Sequence, residues 1–400
     1  MRPVQIKPGI YWVGVNDRFT QLFEGLWPIG EEGVSYNAYL LTDEKNVLID
    51  LAKSIKVDEF LGQIEQIIPV SRLDYIVINH MEPDHTGILT ILKKLAPGAT
   101  ILISEKGMKM LKSFYQIEEN VKTVKDLEEL QIGEKILRFY YTPFVHWPET
   151  MMTYEVTQKV LFSCDGFGGY GALRGTLFDD ECKDKDFYIK EMLRYYANIV
   201  ATFSTPVLKA IEKLSSIPVQ IIAPSHGLIW REDPKMVVDL YRTWAQYASS
   251  KAEKAVTLLY GSMYGNTERM MSSLLNGLSK TGIPVDVFNV TQTHVSYILA
   301  SLWKNRGVII GAPTYEGSLF PPMADVLHMA NVKHIKFKTA AVFGSYGWSG
   351  GASKKIIEMV EPLKWQVVHV LDINGGPTSE DLEKIEELGY RFAKEIIEQP

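Results

Sequence analysis

Two different rhythms of apolar and polar positions run along this chain. In the first 250 residues, short apolar runs typical of strands alternate with polar turns and with stretches of helical periodicity. The pattern predicts strands over 38–41, 46–50, 75–78, 153–162 and 219–223, and helices over 57–64, 87–95 and 187–200. Such a mixture indicates an α/β arrangement in which strands pack beneath helices.

From about Lys254 the pattern changes to a regular alternation of strands and helices. It predicts five apolar strands, over 255–260, 285–290, 307–310, 339–343 and 367–371, separated or followed by helices over 267–281, 295–303, 352–359 and from 380. Near-continuous apolar strands between helices are typical of a parallel, doubly wound sheet. The polar stretch 249–253 is the predicted boundary, which divides the chain into domains 1–250 and 251–400.

Composition excludes several classes of protein. The 42 basic and 48 acidic residues leave a net charge of -6, which argues against a nucleic-acid partner. No apolar run approaches the roughly 20 residues that span a membrane, and the N-terminus lacks the apolar core of a signal peptide, so we expect a cytoplasmic protein. Cys164 and Cys182 alone cannot supply the four thiolates of a rubredoxin-type centre.

A metal-ligand cluster follows the predicted strand 75–78. His80, Glu82 and Asp84 occupy alternate positions, which places them on one face if the segment is extended. Pro83 favours this conformation because it biases Glu82 away from helical angles. His85 breaks the alternation as the chain turns. Four ligand-type side chains within six positions indicate a metal site.

Three further candidates lie where predicted strands end, namely His146, Asp165 and His226. Each alone is weak, because a lone histidine beside a strand is more often a core residue. Together with the cluster they supply four histidines and three carboxylates. If Asp165 bridges two ions, seven side chains make eight bonds, four per metal. Iron takes five or six ligands, so each ion would keep room for solvent or substrate.

The order His80-x-Glu82-x-Asp84-His85, followed by the three candidates at strand ends, resembles the metallo-β-lactamase fold. Hydrolytic members have histidine where Glu82 stands, and the glutamate variant resembles the flavodiiron proteins. The resemblance implies an αββα sandwich with two iron ions. One ion would be held by His80, Glu82 and His146, the other by Asp84, His85 and His226, with Asp165 shared. In this family the position of His85 can leave the metal.

The stretch 194–199 resembles a family segment near the metals. It makes Tyr195 the candidate catalytic residue, whose hydroxyl would donate a proton or a hydrogen bond to the reduced substrate. Tyr196 and Trp147 are further candidates beside the metals. Simple packing explains any of these aromatic residues equally well.

A glycine- and hydroxyl-rich loop, 261–267, joins the first strand of the second half to its helix. It has neither a Gly-Lys-Ser/Thr pair nor G-x-G-x-x-G, and backbone N–H groups at the helix start can hold a phosphate. The loop resembles the phosphate loop of flavodoxins and implies FMN, with aromatic residues of two later loops flanking the flavin. The predicted contacts are Ser262, Met263, Tyr264, Gly265, Asn266, Thr267, Pro313, Thr314, Tyr315, Glu316, Gly317, Ser345, Tyr346, Gly347, Trp348 and Gly350.

The pairing of the two halves implies a redox enzyme. Two irons and a reduced FMN can supply four electrons, which reduce dioxygen to two waters, whereas two electrons convert two nitric oxides to nitrous oxide. We therefore expect an oxygen reductase with nitric oxide as a second substrate. The resemblance further implies a head-to-tail homodimer, or a dimer of such dimers, and an external electron donor such as rubredoxin or a reduced deazaflavin, since the sequence has no rubredoxin-type segment.

Three alternatives stay open. Two zinc ions sharing Asp165 could activate water in a hydrolase, although Glu82 and the flavin half count against it. The chain could carry electrons without consuming either gas. It could also be a physiological nitric oxide reductase, because no residue separates the two gases.

Overall fold

The computed structural model describes residues 2–249 and 251–399, so Ser250, at the predicted boundary, lies outside the described residues. The chain divides into two compact units, Met1–Arg242 and Thr243–Pro400, which are described separately. Among the described residues no helix is both long and apolar enough to cross a membrane. The cytoplasmic location stays a prediction.

The first unit contains two main sheets and flanking helices. Its strands are β1 (Val4–Lys7), β2 (Ile10–Trp12), β3 (Val15–Asp17), β4 (Leu22–Phe23), β5 (Trp27–Pro28), β6 (Val34–Tyr36), β7 (Tyr39–Leu41), β8 (Val47–Ile49), β9 (Tyr75–Ile78), β10 (Thr100–Ile103), β11 (Val121–Thr123), β12 (Glu129–Gln131), β13 (Ile136–Tyr141), β14 (Met151–Glu155), β15 (Val160–Cys164) and β16 (Ile221–Pro224). Its helices are α1 (Val57–Glu65), α2 (Pro83–Thr86), α3 (Leu89–Leu95), α4 (Glu105–Tyr115), α5 (Lys185–Tyr195), α6 (Ser204–Leu214) and α7 (Pro234–Gln246), the last of which extends past the division.

Seven strands form one sheet in the order β1-β2-β7-β8-β9-β10-β11, and five form the other in the order β12-β13-β14-β15-β16. Strands β8 to β11 run parallel, whereas the second sheet is antiparallel except for its last pair. Tyr39 and Phe162 pack with ring centroids 5.0 Å apart and join the two sheets in the core. This is the αββα sandwich that the resemblance implied.

One strand prediction in this unit was wrong. The run 153–162 is two antiparallel strands, β14 and β15, joined by a tight turn. Lys159 adopts a left-handed conformation there, with φ of 61°. The carboxylate of Glu155 accepts hydrogen bonds from the backbone of Thr157 and Gln158 and stabilises the turn.

The second unit is a single parallel sheet between helices. Its strands are β17 (Glu253–Tyr260), β18 (Val285–Asn289), β19 (Asn305–Tyr315), β20 (Ser318–Leu319), β21 (Thr339–Tyr346) and β22 (Gln366–Asn374), and its helices are α8 (Asn266–Ser279), α9 (Val295–Lys304), α10 (Pro321–Val332), α11 (Ala352–Val360) and α12 (Ser379–Glu398). The strand order is β18-β17-β19-β21-β22, with β20 antiparallel to β19. The predicted doubly wound sheet is confirmed, although α10 was not predicted.

Candidate functional sites

The histidine-rich segment follows β9 and then enters a short helix. Glu82 is extended, with φ of -60° and ψ of 142°, and Pro83 begins the one-turn helix α2. Asp84 and His85 lie within that helix. The prediction that His80, Glu82 and Asp84 share one face of an extended segment is therefore wrong, because the extended conformation ends at Glu82.

The other candidate ligands follow strands of the second sheet. Asp165 follows β15, His226 lies two residues beyond β16, and His146 is in the loop between β13 and β14, after a cis peptide bond from Val145. All three are buried. The sandwich thus brings its strand ends together, and residues far apart in the sequence form one cluster.

One half of the cluster joins His80, Glu82 and His146. The Nε2 atoms of His80 and His146 lie 3.2 and 3.1 Å from Glu82 Oε2. Both Nε2 atoms also lie 3.5 Å from Asp165 Oδ2. Two imidazoles and two carboxylates therefore converge on one point, as the ligands of a single cation do.

The other half joins Asp84, His85 and His226. His85 Nε2 lies 3.3 Å from Asp84 Oδ1, and His226 Nε2 lies 3.3 Å from Asp84 Oδ2. They lie 3.1 and 3.4 Å from Asp165 Oδ1. Asp165 therefore turns one oxygen towards each half, which is the arrangement of a carboxylate bridging two ions.

The donor atoms are arranged to bind metal ions rather than to form hydrogen bonds with one another. Both carboxylate oxygens of Asp84 and of Asp165, and Nε2 of His85 and His226, are buried without a protein hydrogen-bond partner. Burial alone would lower the pKa of His226, but the nearby carboxylates of Asp165 and Asp84 raise it to about 10. The carboxylates therefore stabilise positive charge strongly at this point. A pair of metal cations would satisfy the unpartnered atoms and supply that charge.

The outer nitrogens of two histidines have short acceptors. His80 Nδ1 lies 2.7 Å from Glu149 Oε1, and His226 Nδ1 lies 2.7 Å from the carbonyl oxygen of Ser35. Such acceptors fix the orientation of metal-binding imidazoles and make them better ligands. His85 Nδ1 has a weaker neighbour, Cys164 Sγ at 3.8 Å. Sequence reasoning missed Glu149, which resembles any other loop carboxylate.

Aromatic rings surround the cluster. The rings of Tyr195, Tyr36 and Phe23 each lie 5.7–5.8 Å from that of His226, and Trp147 lies 5.0 Å from His80. Burial, with the carboxylates of Asp165 and Asp84, raises the pKa of Tyr195 well above its usual value, so its hydroxyl stays protonated. Tyr196 is directed elsewhere, because its hydroxyl bonds Ser204 Oγ at 2.9 Å.

The second unit has a cleft of about 390 Å³ at the C-terminal ends of its strands. Its lining comprises Ser262, Met263, Tyr264, Asn266, Thr267, Pro313, Thr314, Tyr315, Glu316, Ser345, Tyr346, Gly347, Trp348 and Gly375. Three predicted contacts, Gly265, Gly317 and Gly350, do not line it. Gly265 instead shapes the loop, with φ of +87° at the start of α8. Sequence reasoning missed Gly375, although it directly follows β22 and the same strand-end rule applies.

Comparisons with known proteins identify the family of each unit. Residues 34–227 match the ODP family beta lactamase model, and residues 258–389 match the flavodoxin model. The nitric oxide reductase of Moorella thermoacetica is 33% identical, covering 99% of this chain and 100% of that protein. The solved rubredoxin oxygen:oxidoreductase of Desulfovibrio gigas is 30% identical, with a TM-score of 0.93 and 99% of each chain covered.

The flavodiiron protein of Giardia intestinalis also has a TM-score of 0.93, at 31% identity, with 99% of this chain and 97% of that chain covered. These likenesses extend over both units and over nearly the whole length of each relative. The chain belongs to the flavodiiron proteins, oxidoreductases that carry FMN and a di-iron centre.

Proposed function

We propose that this protein reduces dioxygen to water at the candidate metal centre, with electrons delivered through FMN, and that nitric oxide is a second substrate. One observation carries the proposal: two sets of histidine and carboxylate donors share the buried Asp165 and face the two oxygens of its carboxylate. The bound irons and reduced flavin would together supply the four electrons that dioxygen requires.

We assign one ion to His80, Glu82 and His146, the other to Asp84, His85 and His226, and Asp165 to both. Glu82 contributes a hard, charged oxygen in the first set, and Asp84 does so in the second. Carboxylate oxygens favour iron over a purely zinc pair. This donor chemistry separates the proposal from the di-zinc hydrolase alternative.

Tyr195 would donate a hydrogen bond to substrate, because its protonated hydroxyl belongs to a ring beside His226. The aromatic residues around His226 keep bulk water away from the reacting atoms.

Domain 251–400 would bind FMN in its cleft, and domain 1–250 would hold the metals. The backbone at the start of α8 would receive the phosphate, since N–H groups there are not used within the helix. Tyr315, Tyr346 and Trp348 would flank the flavin rings.

The proposed active form is a head-to-tail homodimer in which one subunit's flavin meets its partner's metals. Each unit exposes large aromatic side chains: Phe19 is 79% exposed in the first, and Tyr264 and Trp348, which line the cleft of the second, are 91% and 92% exposed. Exposed aromatic residues of this kind are typical of interfaces. Rubredoxin, named for the Desulfovibrio relative, is the proposed donor.

Anaerobically reduced protein, supplied by rubredoxin and its reductase, tests the proposal when dioxygen and nitric oxide consumption are compared. We expect both gases to be consumed, with water rather than peroxide as the product from dioxygen. A higher kcat/KM for nitric oxide than for dioxygen would instead favour the alternative of a physiological nitric oxide reductase, the activity named for the Moorella relative. Consumption of neither gas above the donor background would contradict the proposal and favour an electron carrier, and esterase activity with bound zinc would favour a hydrolase.

A further inference from the structure

Tyr36 is a second tyrosine beside the candidate metal centre, and the sequence pattern did not single it out. It ends β6, which pairs with β3, and is 1% exposed. The preceding residue, Ser35, provides the carbonyl that accepts from His226 Nδ1. The same short strand therefore orients His226 and places the Tyr36 ring edge-to-face with it, 5.8 Å away.

The hydroxyl of Tyr36 has no use within the described protein. It is buried, and the described residues provide no hydrogen-bond partner for it. Tyr39, only three positions along, is equally buried but donates to the carbonyl oxygen of Pro224 at 2.7 Å. A buried hydroxyl without a partner destabilises a fold, so phenylalanine would suit position 36 better if packing were its only role.

The surroundings indicate what the hydroxyl serves. The carboxylates of Asp84, Asp17 and Glu82 are near enough to the Tyr36 hydroxyl to act on it electrostatically, and Asp84 has the largest effect of the three. Glu82 and Asp84 belong to the two donor sets of the metal centre, and both carboxylate oxygens of Asp84 lack a hydrogen-bond partner in the described structure. The ring contact with His226 and the effect of Asp84 together indicate that the hydroxyl faces the half of the cluster that contains these two residues.

We propose that Tyr36 donates a hydrogen bond to a small molecule bound at the Asp84, His85 and His226 side of the centre. Tyr36 would then be a second donor beside Tyr195, since the rings of both tyrosines lie 5.8 Å from that of His226. The inference rests on the proposed metal centre, but it is independent of which gas the enzyme reduces.

Azide is a suitable probe, because it binds metal ions, accepts hydrogen bonds and requires no turnover. Calorimetric titration of azide into the iron-loaded, FMN-containing protein compares wild type with Tyr36→Phe, and Tyr39→Phe serves as the matched control. Thermal melting of the same proteins without metal gives the second readout. We expect Tyr36→Phe to keep both irons, to bind azide about tenfold more weakly, and to melt a few degrees higher without metal. Tyr39→Phe should melt lower and bind azide normally.

Unchanged azide affinity in folded, iron-loaded Tyr36→Phe would overturn the inference. A metal-free Tyr36→Phe protein that melts as low as Tyr39→Phe would also overturn it, because the hydroxyl would then have a partner in the resting protein. A crystal structure of the wild-type azide complex provides a test without any variant. Tyr36 Oη within hydrogen-bond distance of azide supports the proposal, and a separation beyond 4 Å contradicts it. Failure to reduce either gas would leave these binding results intact and would count against the proposed function alone.

Discussion

Replacing Glu149 by glutamine should weaken metal binding while changing almost nothing but charge. One carboxylate oxygen, Oε1, accepts from both His80 Nδ1 at 2.7 Å and the backbone N–H of Met81 at 3.0 Å. The other oxygen, Oε2, is buried without a partner in the described structure. A glutamine side chain can therefore place its carbonyl oxygen at the Oε1 position and keep both hydrogen bonds.

The magnitude follows from what each substitution removes. Loss of an outer acceptor of a metal-bound histidine costs about 10–100-fold in affinity. Glu149→Gln removes only the charge, so we expect about tenfold, or about 1.4 kcal/mol. Glu149→Ala also leaves His80 and Met81 without their acceptor, and we expect about 100-fold, or about 2.7 kcal/mol.

Competition between metal-depleted, FMN-bound protein and a chromophoric chelator for cobalt measures these affinities. Glu155→Gln is the matched control, because Glu155 is an equally buried carboxylate whose partners are the backbone N–H groups of Thr157 and Gln158. It should lower stability without changing metal affinity. The reasoning is refuted if Glu149→Ala binds cobalt as tightly as wild type, or if Glu149→Gln loses more affinity than Glu149→Ala.

Three further predictions address the bridge, the flavin loop and a buried lysine. Asp165→Ala should lose iron and turnover but keep FMN, as iron analysis and flavin absorbance would show; full iron loading would disprove the bridge. Gly265→Ala should weaken FMN binding roughly tenfold, because φ of +87° strains alanine by about 1–2 kcal/mol; Gly282→Ala, at φ of +70°, is the control that should lose stability alone. Burial and the charge of Arg306 lower the pKa of Lys338 to about 7 in the folded protein, from an ordinary value of 10.5. Between these two pH values the Lys338 side chain is therefore protonated in the unfolded state but largely neutral in the folded state. The unfolding free energy should therefore rise with pH there, by at most about 1.4 kcal/mol per unit, and denaturant titrations of Lys338→Met should lack that slope.

The strength of the apolar signal decided which elements the sequence could predict. Strands of the parallel sheet are mostly near-continuous apolar runs between helices, and all five were found, although β19 extends five residues beyond its predicted end. The turn between β14 and β15 gave no such signal, because it lacks glycine, proline and asparagine. Lys159 adopts the left-handed conformation that those residues usually mark, and Glu155 stabilises the turn through its side chain.

The candidate site likewise contains residues that the sequence could predict and residues that it could not. Ligand types at close spacing identified the segment around His80, and strand ends suggested His146, Asp165 and His226. Residues that support the ligands have no local pattern. Glu149 meets His80 from 69 positions away, and the Ser35 carbonyl meets His226 from 191 positions away. Only the packing of two sheets brings such pairs together, so periodicity and spacing could not reveal them.

The helical turn at Asp84, which the sequence did not predict, explains how one short segment can provide ligands for two metal ions. An extended chain would have turned His80, Glu82 and Asp84 to the same side, towards a single cation. Pro83 does hold Glu82 in an extended conformation, as expected, but proline is also favoured at the first position of a helix. It therefore begins α2, and the helical turn redirects Asp84 and His85 towards His226. Pro83, which was expected to preserve the alternation, is therefore the residue that ends it. The division of the ligands into two donor sets depends on this turn.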